Sequence, residues 1–435
     1  MTESGRIDAA QNDKTREPAD AAEREPQRRR ILLHVGTPKT GTSYLQDVLF
    51  RNREALAGYG IHYPADRFDA HFLAALDLMK LPWGGLEVEA VGAWDRLAAA
   101  VRAVDHGTVV VSHEILATAS RQQAAQALAD LSAGPGETEI HLVLSARDLG
   151  RQIPAEWQEN IKHRSTLRYR RFLELIADPA RDSKIGAWFW GVQELPAILD
   201  RWGQGIAPER VHLVTVPPPG SDPTLLWKRF SHAFGLDGIE LDLRDERSNP
   251  SLGVPETALL RRINIQANAV VQPADYRPLV RELLAHRTLS RRRGSPRLAL
   301  PSTAVPAVQE ISRRWVDELR SRGYDIVGDL DELLVPTPTT PPEEYADPDR
   351  PRPRQVAQAA FDVIEALLVE NARLRHEESR LRRELAETRE ALERSYMRPT
   401  YQLRRRSVQA LEGNRPGQAL LGLYRRARGS SSREA

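Results

Sequence analysis

From Ile31 to about Pro336, short apolar runs alternate with stretches whose apolar residues recur at helical spacing. The first run, Ile31–Val35 (ILLHV), is closed by Gly36 and Pro38 and reads as a buried parallel strand. From Ser43 onward, Leu45, Val48, Leu49 and Leu56 fall on the face of a helix that Gly58 and Gly60 stop. Trp94, Leu97, Val101 and Val104 repeat the helical spacing; TVVV (residues 108–111) follows Gly107 as a second buried strand, and TEIHLVLS (138–145) is a third. Residues 254–268 and 305–322 read as further helices. Strands alternating with helices predict an α/β domain over residues 30–336, with a mostly parallel central sheet flanked by helices.

Past Pro336 the pattern changes. Residues 337–357 are rich in proline and read as an extended linker without a core. Within 358–397, Ile364, Leu367, Asn371, Leu374, Leu381, Leu385 and Leu392 fall at a or d of a heptad, which predicts a coiled-coil helix. Asn371 at an a position favours a parallel homodimer through residues 361–395. Glu378 and Thr388 also fall on that seam and weaken it, so a single amphipathic helix folded onto the preceding domain stays open. Residues 398–435 form a basic, weakly amphipathic tail with Leu420, Leu421, Leu423 and Tyr424 as an apolar patch. It reads either as peripheral contact with a membrane surface or as a solubility device. Residues 1–29 alternate acids, bases and alanines and read as a disordered leader without the apolar core of a signal peptide.

Composition sharpens this picture in two ways. A formal net charge of +2 over 435 residues argues against a nucleic-acid binder while leaving room for local anion sites. The absence of cysteine excludes disulfides, a thiol nucleophile and thiolate zinc sites, and with no signal segment the expected location is cytoplasmic.

Candidate chemistry begins at the loop after the first strand. A strand–loop–helix unit aims backbone N–H groups and the positive end of a helix dipole at one point, which favours a bound anion. Gly36 and Gly41 have the separation of a Walker A loop, but Thr42 stands where that motif has its lysine, and Lys39 lies inside the loop. Glycine turns between a strand and a helix are common, so the two glycines alone would carry no function. Two other strand ends fall on the same edge of an open α/β sheet: Ser112-His113-Glu114 after the second strand, and Arg147 after the third.

The string Pro38-Lys39-Thr40-Gly41-Thr42-Ser43 closely resembles the P-K-[ST]-G-T-[ST] loop of sulfotransferases that use 3′-phosphoadenosine 5′-phosphosulfate (PAPS). Ser112-His113 is similar to the Thr-His pair that carries the catalytic histidine in the cytosolic branch of that family. Residues 147–162 resemble the segment whose arginine and serine bind the 3′-phosphate, and the stretch from Trp188 to Gly235, with its strand VHLVTV, continues the likeness. The resemblance implies a P-loop-like sulfotransferase fold. It implies that Lys39, Thr40, Gly41, Thr42 and Ser43 bind the 5′-phosphosulfate and that Arg147 binds the 3′-phosphate. His113 is then the general base, Glu114 its reserve, and Lys39 the residue that stabilises charge on the bridging oxygen. No metal is required, and the acceptor would be a hydroxyl of a small molecule, carbohydrate or glycolipid. Ala155 replaces the family's serine, with Arg151, Gln152 and Lys162 as nearby substitutes. Two alternatives stand beside this: a P-loop kinase or NTPase, against which the position of Lys39 argues, and a non-catalytic coiled-coil adaptor, which Ala155 favours. Trp188, Phe189 and Trp190 line an acceptor pocket or pack in the core, and residues 287–297 (RTLSRRRGSPR) form a basic loop.

Overall fold

The computed structural model describes residues 28–133, 137–244, 251–337, 344–397, 399–412, 416, 418 and 419. The chain divides into two compact units, Met1–Ala360 and Phe361–Ala435. Most of the first 29 residues and the apolar patch expected at residues 420–424 lie outside the described residues.

Among the described residues, the first unit is organised by six parallel strands: β1 (Arg29–His34), β2 (Ile61–His62), β3 (Gly107–Ser112), β4 (Thr138–Ala146), β5 (Val211–Thr215) and β6 (Asp325–Val327). Their order across the sheet is β2-β3-β1-β4-β5-β6. Between β3 and β4 the chain passes over β1, so the loops after β3, β1 and β4 lie side by side at the carboxyl edge, where open α/β sheets bind ligands. The α/β class with a parallel central sheet is therefore as the hydrophobic pattern predicts. The short edge strands β2 and β6 escaped it, because two and three residues are too few to show a period.

The register explains what the strands hold in place. His34 pairs with Ser112 on β3, and Ser145 on β4 pairs with Val214 on β5. Because side chains alternate between faces, Leu32, Val110, Val143 and Val214 share one face with His34, Ser112 and Ser145. Leu45 and Leu49 of α1 (Thr42–Arg51) and the rings of Phe230 and Phe234 cover that face, all of them essentially buried. A polar row at the carboxyl end thus continues an apolar core, directly beneath the loop that carries Lys39.

Residues 344–352 are not free linker. Asp349 accepts from the backbone N–H groups of Tyr169 (3.0 Å) and Arg170 (2.9 Å), satisfying donors that the start of the helix Tyr169–Ala177 leaves open. Composition cannot show this, since proline-rich text conceals one well-placed carboxylate. The two compact units divide at residues 360 and 361. A helix then runs from Pro353 to Met397, and a second, Pro399–Glu412, occupies the start of the segment read as a tail. No helix among the described residues is long and apolar enough to cross a membrane.

Candidate functional site

The loop after β1 is wound tightly. Gly36 has φ of +126° and Gly41 φ of +89°; a Cβ at Gly36 would stand 2.9 Å from the Glu114 carbonyl oxygen, and one at Gly41 2.8 Å from Leu226 Cδ2. Both positions need glycine for conformation and for space. Thr37 N–H donates to the Ser145 carbonyl (2.8 Å) and Ser145 N–H to the Gly36 carbonyl (2.6 Å), which fastens the loop to β4.

Below it lies a closed polar chain. His34 Nδ1 is 2.8 Å from Ser112 Oγ and Nε2 is 3.2 Å from Ser145 Oγ; Ser145 Oγ is in turn 2.5 Å from Thr40 Oγ1, which donates to the Thr37 carbonyl at 2.6 Å. Burial lowers the His34 imidazole to about 4, so it stays neutral and acts as a bracket between three strands. The Thr40 hydroxyl is thus engaged beneath the loop.

Gly41 is the N-cap residue of α1, and among the described residues no side chain caps that end. The first-turn N–H groups, with the dipole behind them, are set for an anion near Thr42 and the exposed Ser43. Lys39 lies in the loop with φ of +63°. Its Nζ lies 2.5 Å from Glu159 Oε2, on the last turn of the helix Leu149–Lys162. Glu159 is also 3.1 Å from His163 Nε2, 3.5 Å from Arg281 Nη2 and 3.9 Å from Lys162 Nζ. Burial alone would raise the Glu159 carboxyl, but Lys39, His163 and Lys162 outweigh it and hold it well below the usual range. Burial pushes the Lys162 ammonium down to about 8.

One turn earlier on the same helix, burial raises Glu156 to about 7; its Oε1 accepts from Gln193 Nε2 at 3.1 Å. The folded state therefore holds this proton more tightly than the unfolded chain, and the stability linked to it is present in acid and lost as pH rises from about 4.5 through 7. Glu156→Gln should match the parent at pH 5 and exceed it by about 1–3 kcal/mol at pH 8. Denaturant unfolding at the two pH values checks this, and an equal effect at both would remove the buried carboxyl as its cause.

His113 and Glu114 leave the end of β3 together. Glu114 Oε2 accepts from Gln46 Nε2 (2.9 Å) and lies 3.9 Å from His113 Nε2. Burial lowers the His113 imidazole against the pull of Glu114. Burial by itself would raise the Glu114 carboxyl, but His113 and the Gln46 bond leave it below its usual value. Ile115 N–H donates to His113 Nδ1 (3.3 Å), which favours the tautomer with its proton on Nε2. The His113 ring lies 5.0 Å from Phe72, Phe72 is 5.6 Å from Trp83, and Trp83 is 5.9 Å from both Trp188 and His163. These rings, half-buried except for the exposed His163, form a wall running from His113 to the Glu159 cluster. Trp188 belongs to it, whereas Phe189 and Trp190 are core residues, the latter donating to the Ile176 carbonyl at 2.8 Å.

Arg147 stands at the end of β4. Its Nη2 donates to the Arg151 carbonyl (2.9 Å), and its buried Nε has no partner among the described residues. Burial and the charge of Arg151 lower its guanidinium to about 10, an environment that an anion would relieve. Asp148 pairs with Arg151 rather than with Arg147.

The substitutes near Ala155 are committed elsewhere. Arg151 also donates to the Val216 and Pro217 carbonyls, Gln152 Nε2 to the Pro38 carbonyl (2.7 Å) and Gln193 Oε1 (2.9 Å), and Lys162 sits at Glu159. In the basic loop, Arg292 is held 2.7 Å from Glu256, so that stretch is not simply a solvated charge run. No group of three or more His, Asp or Glu among the described residues is placed to hold a metal.

Sequence reading named Lys39, Thr40–Ser43, His113, Glu114 and Arg147, and all fall on one edge of the sheet. It passed over His34, Ser145, Gln46, Glu159, Phe72 and Trp83. His34 had a visible signal, as the lone polar residue inside an apolar strand. Glu156 and Glu159, four and seven residues after Gln152, share a helical face with it, a spacing that could have been read. Comparison with protein-family models, with curated proteins and with solved structures finds no match.

Proposed function

We propose that this protein is a PAPS-dependent sulfotransferase. The observation that carries the reading is the meeting, at one carboxyl edge, of an uncapped helix N terminus with Lys39 in its loop, the His113–Glu114 pair and a buried guanidinium short of a partner.

The residues fit the donor at two points. The backbone of Thr40, Gly41, Thr42 and Ser43 suits a 5′-phosphate, and the Arg147 Nε suits a 3′-phosphate in place of the serine that Ala155 lacks. Bound there, PAPS would supply a sulfuryl group to an acceptor hydroxyl. Lys39 exchanges Glu159 for the charge that develops at the bridging oxygen, and Lys162, His163 and Arg281 keep Glu159 satisfied when it leaves. The wall of Phe72, Trp83 and Trp188 holds the acceptor against His113, which suits a carbohydrate ring with its apolar face. His113 removes the hydroxyl proton. The Ile115 bond to Nδ1 favours a second reading in which the Glu114 carboxylate takes it instead.

Calorimetry with adenosine 3′,5′-bisphosphate and with magnesium-ATP tests the donor site. Bisphosphate alone should bind. Preference for magnesium-ATP would turn the reading to a kinase or NTPase, and binding of neither would favour a non-catalytic adaptor. Labelled donor incubated with a cell lysate then identifies the acceptor.

A further inference from the structure

The helix Pro353–Met397 carries a charge code that goes beyond its apolar seam. With Ile364 and Asn371 at a and Leu367 and Leu374 at d, the g positions that follow are Glu370, Glu377 and Glu384. The e positions after Leu368 are Arg375, Arg382 and Arg389. Each of these glutamates precedes an arginine by five residues, the offset at which g of one helix meets e of a parallel, in-register partner. An antiparallel pair would set g against g and e against e, facing glutamate with glutamate and arginine with arginine.

The seam is available. Ile364, Leu374, Leu381, Leu385 and Leu392 are each about half exposed, between 46% and 53%. One seam position is acidic, Glu378, and Arg382 on the same helix lies 2.6 Å from it, so its charge is covered before any partner arrives. Within the single helix Glu370 holds Arg373 at 2.7 Å and Glu377 pairs with Arg380. Exposed bonds of this kind contribute only tenths of a kcal/mol, less than the burial of an apolar seam.

We infer that the occupant of this face is a second copy of the same chain, joined as a parallel, in-register, two-stranded coiled coil over residues 361–395. Leucine at d and Asn371 at a select two strands, and the glutamate-to-arginine code selects self-pairing and direction. This inference is independent of the chemistry proposed for the first unit.

Two charge variants of the full chain test it: Glu370→Lys with Glu377→Lys and Glu384→Lys, and Arg375→Glu with Arg382→Glu and Arg389→Glu. All these residue types are good helix formers, so the helix itself should survive, as circular dichroism can verify. Sedimentation should give the parent twice its 48.9 kDa chain mass, each variant alone the single mass, and an equimolar mixture a heterodimer. The chain has no cysteine, so Ser395→Cys, at a d position, reports direction without interference. It should form a disulfide between two copies under mild oxidation. A monomeric parent, charge variants that dimerise as well as the parent, or a Ser395→Cys dimer that does not crosslink would each overturn the inference.

Discussion

His113→Ala is expected to lower the proposed sulfuryl transfer by about 10²- to 10⁴-fold while adenosine 3′,5′-bisphosphate binding stays at the parental level, because a positioned base acts only on the reacting proton. The pH profile separates His113 from its neighbour. A base works when it has lost its proton, and both groups are shifted down: the imidazole below 6.5 and the carboxyl below 4.5. If His113 is the base, kcat/KM holds below pH 6.5 and falls as the lowered imidazole pKa is crossed. If Glu114 is the base, the acid limb moves below pH 4.5 and Glu114→Gln loses the rate instead. Unchanged turnover in both variants would remove the pair from the chemistry.

Lys39→Ala should reduce turnover by about 10²- to 10³-fold, the effect of deleting one preorganised charge from the transition state. Bisphosphate affinity should change far less, since that ligand lacks the oxygen on which the charge develops. Glu159 keeps Lys162, His163 and Arg281, so the fold should tolerate the change. Lys39→Arg is not expected to rescue the rate, because a planar guanidinium cannot replace a compact ammonium in so tight a loop. A loss of bisphosphate affinity equal to the loss of turnover would recast Lys39 as a simple binding residue.

Much of this site could be read along the chain because its parts are local. A strand, a glycine loop and a helix occupy consecutive residues, so Lys39, Gly41 and the start of α1 can be placed from hydrophobic period and glycine positions. His113 and Arg147 were legible for a related reason, as polar residues at the first step beyond an apolar strand. Glu159 was not, since it meets Lys39 only after β4 and the helix Leu149–Lys162 pack beside β1. Phe72 was missed likewise, being far from His113 in sequence and close to it in space, and Trp83 because it joins the wall through Phe72.

The amino-acid sequence by itself determined the parallel α/β plan, the glycine loop, the three strand ends that bear polar groups and the heptad helix. Each depends on period or on neighbours a few residues apart. Tertiary structure alone decided that the Thr40 hydroxyl faces inward, that Lys39 rests on Glu159, that Arg147 Nε is left without a partner among the described residues and that Asp349 ties the proline-rich stretch to the first unit. Those outcomes rest on which of several equally suitable polar groups is nearest once the strands are aligned, and register between distant segments sets that distance.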